Sequence, residues 1–179
     1  TEDLLPNQIR ATALLLGCGC GRVHDQRIKE LLLSTKLPTV LDADGINCIA
    51  GNIELYRSIT ASLVITPHPA EMGRLAGVST EEINASRVKS AQDFAKEYGF
   101  VTVLKGAATV IAAPNGRLCI NTTGNTGLAK GGSGDVLTGM IASFIAQGAE
   151  KLYAAVLAVY LHGPAADRLA ADRSPFGIM

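Results

Sequence analysis

Short apolar runs alternate along the chain with longer segments whose apolar positions recur at helical spacing. Ala11 to Leu16, Thr39 to Asp44, Ser62 to Thr66 and Phe100 to Lys105 are runs of five or six residues, mostly aliphatic, that are followed by glycine or proline, the second ending in two carboxylates. Continuous apolarity without a polar alternate is the pattern of a strand buried on both faces, so these read as strands of a parallel sheet. Between them, His24 to Lys36 carries apolar residues at 28, 31, 32 and 33 and stops before Pro38, which predicts an amphipathic helix. Ser79-x-x-Glu82 is a capping box that opens a helix expected to run to Tyr98. Val110 to Ala113 and Leu118 to Asn121, separated by Pro114-Asn-Gly-Arg, predict one antiparallel hairpin. Glu150 to His162 is apolar nearly all round, which predicts a buried helix. Alternation of this kind predicts an α/β fold with a mainly parallel sheet in a single domain over residues 1–179.

One stretch does not fit a purely structural reading. Asn121 to Asp135 holds five glycines and runs directly into the helix-periodic segment Val136 to Gln147. Glycines leave backbone N–H groups unscreened, and the helix that follows points its unpaired N–H groups and positive dipole end back at the loop. Gly131, Gly132, Ser133 and Gly134 therefore form a candidate anion cradle. Asp135 stands where a carboxylate can take the proton of a hydroxyl brought up to a bound phosphate, so the pair reads as phosphoryl transfer. The plainer alternative is that Asp135 caps the helix and the glycines make turns. A P-loop is excluded, because Lys130 precedes Gly131 and a Gly-Lys-Ser/Thr run is missing.

The run from Thr123 to Gly139 resembles the signature of the ribokinase-like superfamily, and specifically the ADP- or ATP-dependent NAD(P)H-hydrate dehydratases. Further segments share the resemblance. Gly17-Cys-Gly-Cys-Gly21 stands where the family has Gly-Pro-Gly-Leu-Gly, Thr39 to Asn47 is similar to its Asp-Ala-Asp-Ala/Gly-Leu-Asn motif, and Thr66-Pro-His-Pro-Ala-Glu71 is similar to Thr-Pro-His-Pro-Gly-Glu. The resemblance implies a ribokinase-like three-layer sandwich and ADP- or ATP-driven dehydration of hydrated NADH or NADPH, with Mg²⁺ on the phosphates. It implies that Lys105, Gly106, Ala107, Ala108 and Thr109, with Asn125 and Gly134, line the adenine nucleotide site. Gly19, Gly21, His68 and Asp135 would face the hydrated nucleotide, and Glu71 would sit near the metal and phosphates without ligating directly. His162 and Asp167 are expected to be structural or to shape the adenine pocket. For Asp42 and Asp44 two readings stay open: helix capping and sheet-edge solvation, or indirect organisation of Mg²⁺ and phosphate through water. Family members carry further strands before the segment matching Ala11, so the chain is expected to be a fragment that makes no stable active monomer alone. A small-molecule kinase of the same superfamily and a nucleotide-binding module without activity remain alternatives.

Composition narrows the partners. Sixteen Lys+Arg balance sixteen Asp+Glu, so no basic surface for nucleic acid or anionic membrane is expected. No apolar run approaches the ~18 residues of a membrane span, and no apolar leader opens the chain, which points to the cytoplasm. Cys18, Cys20, Cys48 and Cys119 match no zinc framework and read as reduced, small apolar residues. A homo-oligomer is expected.

Overall fold

The structure, a computed structural model, describes residues 11–173. Six strands form one sheet in sequential order: β1 (Leu14–Leu16), β2 (Thr39–Leu41), β3 (Leu63–Ile65), β4 (Val101–Leu104), β5 (Thr109–Ala112) and β6 (Leu118–Asn121). The first four run parallel, and β4–β5 and β5–β6 are antiparallel. The sheet is mainly parallel as expected, but the antiparallel part is larger than the single hairpin predicted. The cause is the short Lys105–Ala108 connection, which turns β5 straight back against β4, since a parallel return needs a crossover of a dozen or more residues.

The parallel strands are joined by helices α1 (Asp25–Ser34), α2 (Ala43–Ile49), α3 (Ile53–Ser58), α4 (Pro69–Ala76), α5 (Thr80–Ala85) and α6 (Arg87–Tyr98). Two more, α7 (Ser133–Ala146) and α8 (Lys151–Arg173), follow the sheet. Strand side chains divide alternately between two cores, as the pleat requires. Leu41, Leu63, Ile65 and Leu104 join Ile28, Leu32, Ile46, Met72 and Phe94 on one face. Val40, Val64, Val101, Val103 and Ile111 join Leu137, Ile141, Ala155 and Val159 of α7 and α8 on the other. Helices therefore cover both faces, which makes the three layers expected of a ribokinase-like sandwich.

Three expectations need correction. The helix expected from Ser79 to Tyr98 is two helices, because Ser86 leaves helical geometry (φ −140°, ψ 41°) and its carbonyl accepts from the Ser90 amide to start α6. β1 is not buried on both faces: it is the end strand among the described residues, and Leu15 is 37% exposed. Likewise α8 is buried along one side only, through Ala154, Ala155, Ala158 and Val159, while Tyr153, Leu157, Tyr160 and Leu161 are exposed. A small-residue stripe lets the helix lie close on the sheet, and the larger side chains between those positions then necessarily point outward.

Candidate functional site

The C-terminal ends of the parallel strands and the N-terminus of α7 converge. β2 ends at Leu41, and Asp42 follows in extended geometry at the head of α2, almost fully buried. Its position is that of a helix cap, yet its side chain makes no capping bond. Asp42 Oδ1 instead accepts from Lys105 Nζ at 2.7 Å and from Thr66 Oγ1 at 2.8 Å. Strand-end residues of β2, β3 and β4 thus meet over the top of the sheet, where open parallel sheets bind ligands. Asp44, one residue into α2, accepts the Gly21 amide at 2.8 Å and so ties the Gly17–Gly21 loop to the same edge. Gly17 has to be glycine: φ is +108°, and a Cβ there would lie 2.0 Å from the Asp42 carbonyl oxygen.

Directly above the Lys105–Asp42 pair lies the glycine loop. Gly132, with φ at +87°, turns the chain into α7, which begins at Ser133. The Ser133 amide reaches the Lys130 carbonyl only at 3.4 Å, and the Val136 amide bonds the Gly132 carbonyl at 3.1 Å. The amides of Gly131, Gly132 and Gly134 donate to no carbonyl among the described residues, which leaves them for an anion at a helix N-terminus. A Cβ built on Gly134 would lie 3.4 Å from Lys105 Nζ and 3.6 Å from Asp42 Oδ2, so the ammonium sits immediately under the cradle. Ser133 Oγ is turned inward, donating to the Leu128 carbonyl at 2.6 Å, and fixes the loop.

On one side of the cradle opens a cavity of about 840 Å³, within the size of sites that take a small organic ligand. Lys105, Gly106, Ala107, Ala108, Thr109 and Asn125 line it, together with Gly131, Ser133, Gly134 and His68. The positions expected to bind nucleotide are therefore gathered around one space. Two contacts hold its far wall. Asp167 of α8 accepts the Gly124 amide at 2.8 Å and Asn125 Nδ2 at 3.0 Å, and these bonds draw its carboxyl below the ordinary aspartate range. Gly163 lets the loop lie on α8, since a Cβ there would come within 2.1 Å of Thr123 Oγ1. His162 borders the same space, and burial lowers its imidazole pKa.

Asp135, Gly132, Gly19, Gly21 and Glu71 do not line this cavity. The Asp135 carboxylate instead joins those of Asp42 and the Cys18 thiol, with one ligand atom from each residue within 4.8 Å of the others. Asp135 itself is exposed. Two spaces result, with Gly134 and Lys105 between them: a nucleotide-sized cavity on one side, and on the other a carboxylate beside the Gly17–Gly21 loop. Cys18 is a passive neighbour. Burial pushes its thiol pKa up, and the charges of Asp42 and Asp135 push it the same way despite a hydrogen bond with Thr138 at 3.3 Å.

His68 is less free than its position between two prolines suggests. Its Nδ1 accepts the Ala70 and Glu71 amides at 3.2 and 3.3 Å as the cap of α4, and the Glu71 carboxylate returns a bond to the His68 amide at 2.8 Å. Glu71 Oε1 also lies 3.4 Å from His68 Nε2. Glu71 is buried and turned onto His68, so any influence on phosphates passes through that ring. The donor set bears on Mg²⁺. A hard dication caged between Asp42 and Asp135 would face the Lys105 ammonium and a protonated thiol, an unfavourable set for a metal that prefers oxygen and keeps its waters. The residues present fit an ion carried in on nucleotide phosphates, with Asp135 as the exposed carboxylate beside it.

Sequence reasoning overlooked Thr66, Thr138 and Arg87. Arg87 Nη2 donates to the carbonyls of Leu104 at 3.0 Å and Lys105 at 3.2 Å, anchoring the strand end from below. Thr66 follows β3 as Asp42 follows β2, a signal the strand pattern contained. Nothing local marks the other two.

A sequence profile described as NAD(P)H-hydrate dehydratase matches residues 1–178. The chain belongs to that family. Among curated relatives, a bifunctional NAD(P)H-hydrate repair enzyme of Moorella thermoacetica is 42% identical over 180 residues, covering 99% of this chain and 34% of its own length. An ADP-dependent (S)-NAD(P)H-hydrate dehydratase of Neisseria meningitidis is 38% identical over 172 residues, covering 93% of this chain and 58% of its own. The chain thus spans between about a third and three fifths of these relatives. In structure it is similar to the ADP/ATP-dependent NAD(P)H-hydrate dehydratase of Bacillus subtilis co-crystallised with ATP/Mg²⁺, with a TM-score of 0.85 and 35% identity over 94% of this chain and 59% of that one. A ribokinase of Arabidopsis thaliana, at a TM-score of 0.55 and 16% identity, covers 87% of this chain and half of its own and shares the fold.

Proposed function

We propose that this chain carries the phosphoryl-transfer centre of an enzyme that dehydrates hydrated NADH or NADPH at the expense of ADP or ATP. The observation that carries the reading is the placement of the Gly131–Gly134 amides between a nucleotide-sized cavity and the Asp135 carboxylate. Adenine nucleotide would occupy the cavity between Lys105–Thr109 and the Gly124–Asn125 loop, with its terminal phosphoryl group on the cradle. The hydrated nicotinamide ring would lie beside the Gly17–Gly21 loop and His68, with its hydroxyl against Asp135. Asp135 takes the hydroxyl proton as the oxygen bonds to phosphorus and the bond to the bridging phosphate oxygen breaks. Loss of the new phosphate from the ring, with a proton from the adjacent ring carbon passing to solvent, then restores the double bond. The cradle amides and Lys105 hold the charge of the moving phosphoryl group, the term on which such reactions chiefly depend. Mg²⁺ carried in on the phosphates would supply further charge neutralisation.

The family membership and the relatives' printed activities support dehydration over a small-molecule kinase reaction. The four free thiols support a cytoplasmic location, and the exposed Tyr153, Leu157 and Tyr160 support a homo-oligomer. Among the described residues no helix is long and apolar enough to cross a membrane. Phosphate release from ADP and from ATP, measured on the full-length protein with and without hydrated NADPH, tests the reading. Substrate-dependent release with return of reduced-nicotinamide absorbance is expected; a stable phosphorylated product would identify a kinase. Asp135→Asn should bind nucleotide normally yet turn over about 10²- to 10⁴-fold more slowly. Near-normal turnover would remove Asp135 from the reaction.

A further inference from the structure

Asp42 is buried to 2% exposure, bears a charge, and neither caps its helix nor lines the cavity. Burying a carboxylate is costly unless it is paired and hydrogen-bonded, and Asp42 has both conditions met by residues at the ends of β3 and β4. Thr66 fixes the carboxylate from β3, and Lys105 meets it from the end of β4. Lys105 is held along its whole length. Its amide donates to the Pro67 carbonyl at 2.8 Å, its carbonyl accepts from Arg87, and its ammonium ends on Asp42 at 2.7 Å. That ammonium lies where it would touch a methyl group on Gly134, under the anion cradle.

A lysine has a flexible four-carbon stem, and this one borders a cavity of about 840 Å³ into which it could swing. We propose that Asp42 is a positioning residue for phosphoryl transfer: its buried carboxylate holds the Lys105 ammonium beneath the Gly131–Gly134 amides, so that the cradle carries a fixed positive charge. Asp42 acts through Lys105 and does not itself touch the phosphoryl group. Lys105, expected from the family pattern to line the adenine nucleotide site, thereby serves its phosphate end. The inference rests on the functional reading above and adds the source and the fixing of the charge.

A double-mutant cycle in the full-length protein tests it, with wild type, Asp42→Asn, Lys105→Met and the double variant compared for phosphate release from ADP with hydrated NADPH, nucleotide affinity by calorimetry, and thermal unfolding. Asp42→Asn and Lys105→Met should each lower kcat on the order of 10²-fold, the scale for loss of one preorganised charge-stabilising group. Adding Asp42→Asn to Lys105→Met should lower kcat no further, and Asp42→Asn should leave nucleotide affinity near wild type. A purely structural Asp42 gives a further loss in the Lys105→Met background, and that result, or wild-type turnover in Asp42→Asn, overturns the proposal. Should Asp42→Asn fail to fold, the double variant leaves neither charge unpaired, and its comparison with Lys105→Met decides the matter: equal turnover supports the proposal and lower turnover overturns it. Absence of phosphate release from the wild-type protein refutes the functional reading itself, a result separate from any of these.

Discussion

Gly134→Ala separates the chemistry of the cradle from its architecture. The added methyl would sit 3.4 Å from Lys105 Nζ and 3.6 Å from Asp42 Oδ2, both ordinary van der Waals contacts, and Gly134 has no positive φ to strain. It lies in the first turn of α7, where replacing glycine by alanine gains at most about 1 kcal/mol of helix propensity. For a chain of this size such a gain raises Tm by at most about 2–4 °C. The fold should therefore be unharmed or slightly more stable. Function should not survive, because the methyl fills the gap between the ammonium and the amides into which a phosphoryl oxygen must fit. Loss of that stabilisation corresponds to about 10²- to 10³-fold in kcat. Paired measurement of phosphate release and thermal unfolding on the same preparation checks this. Turnover near wild type would refute the cradle, and a parallel collapse of Tm would show that the position is structural.

Other outcomes follow from the same geometry. Gly17→Ala should abolish folding, because its Cβ would overlap the Asp42 carbonyl and the Gly45 amide at 2.0 and 2.4 Å; recovery of soluble, cooperatively melting protein would contradict that packing. Asp167→Asn should raise KM for ADP or ATP while leaving kcat nearly unchanged, since Asp167 orders the Gly124–Asn125 loop and touches no reacting atom. The Asp167 carboxyl is lowered in the fold by those two donors, so its bonds are complete above the ordinary aspartate value and are lost as pH falls through the lowered one. His162 is lowered by burial, so the unfolded chain takes up its proton first and stability should fall on acidification below about pH 6.5. Thermal melts of His162→Gln from neutral to mildly acidic pH should lose part of that slope, and an unchanged slope would show that the ring is hydrated.

Much of the architecture was written in local pattern. Apolar runs at Thr39–Leu41, Leu63–Ile65 and Val101–Leu104 marked three buried strands, the Pro114-Asn-Gly-Arg turn marked its hairpin, and the glycine loop before α7 marked a candidate anion site. These features are legible because period, turn chemistry and helix-end electrostatics act over a few residues. What the sequence could not reveal depends on which strand ends become neighbours. Lys105 and Asp42 are 63 residues apart, Asp167 and Gly124 are 43 apart, and Cys18 meets Thr138 across 120. For Asp42 the local context left capping and the indirect organisation of metal and phosphate both open, and only the ends of β3 and β4 made it the counter-charge of Lys105. The one-sided burial of α8 was decided in the same way, by what the helix packs against. Local forces set the elements of this protein, while the pairing of buried charges, and with it the site, was settled by the order in which the strands lie side by side.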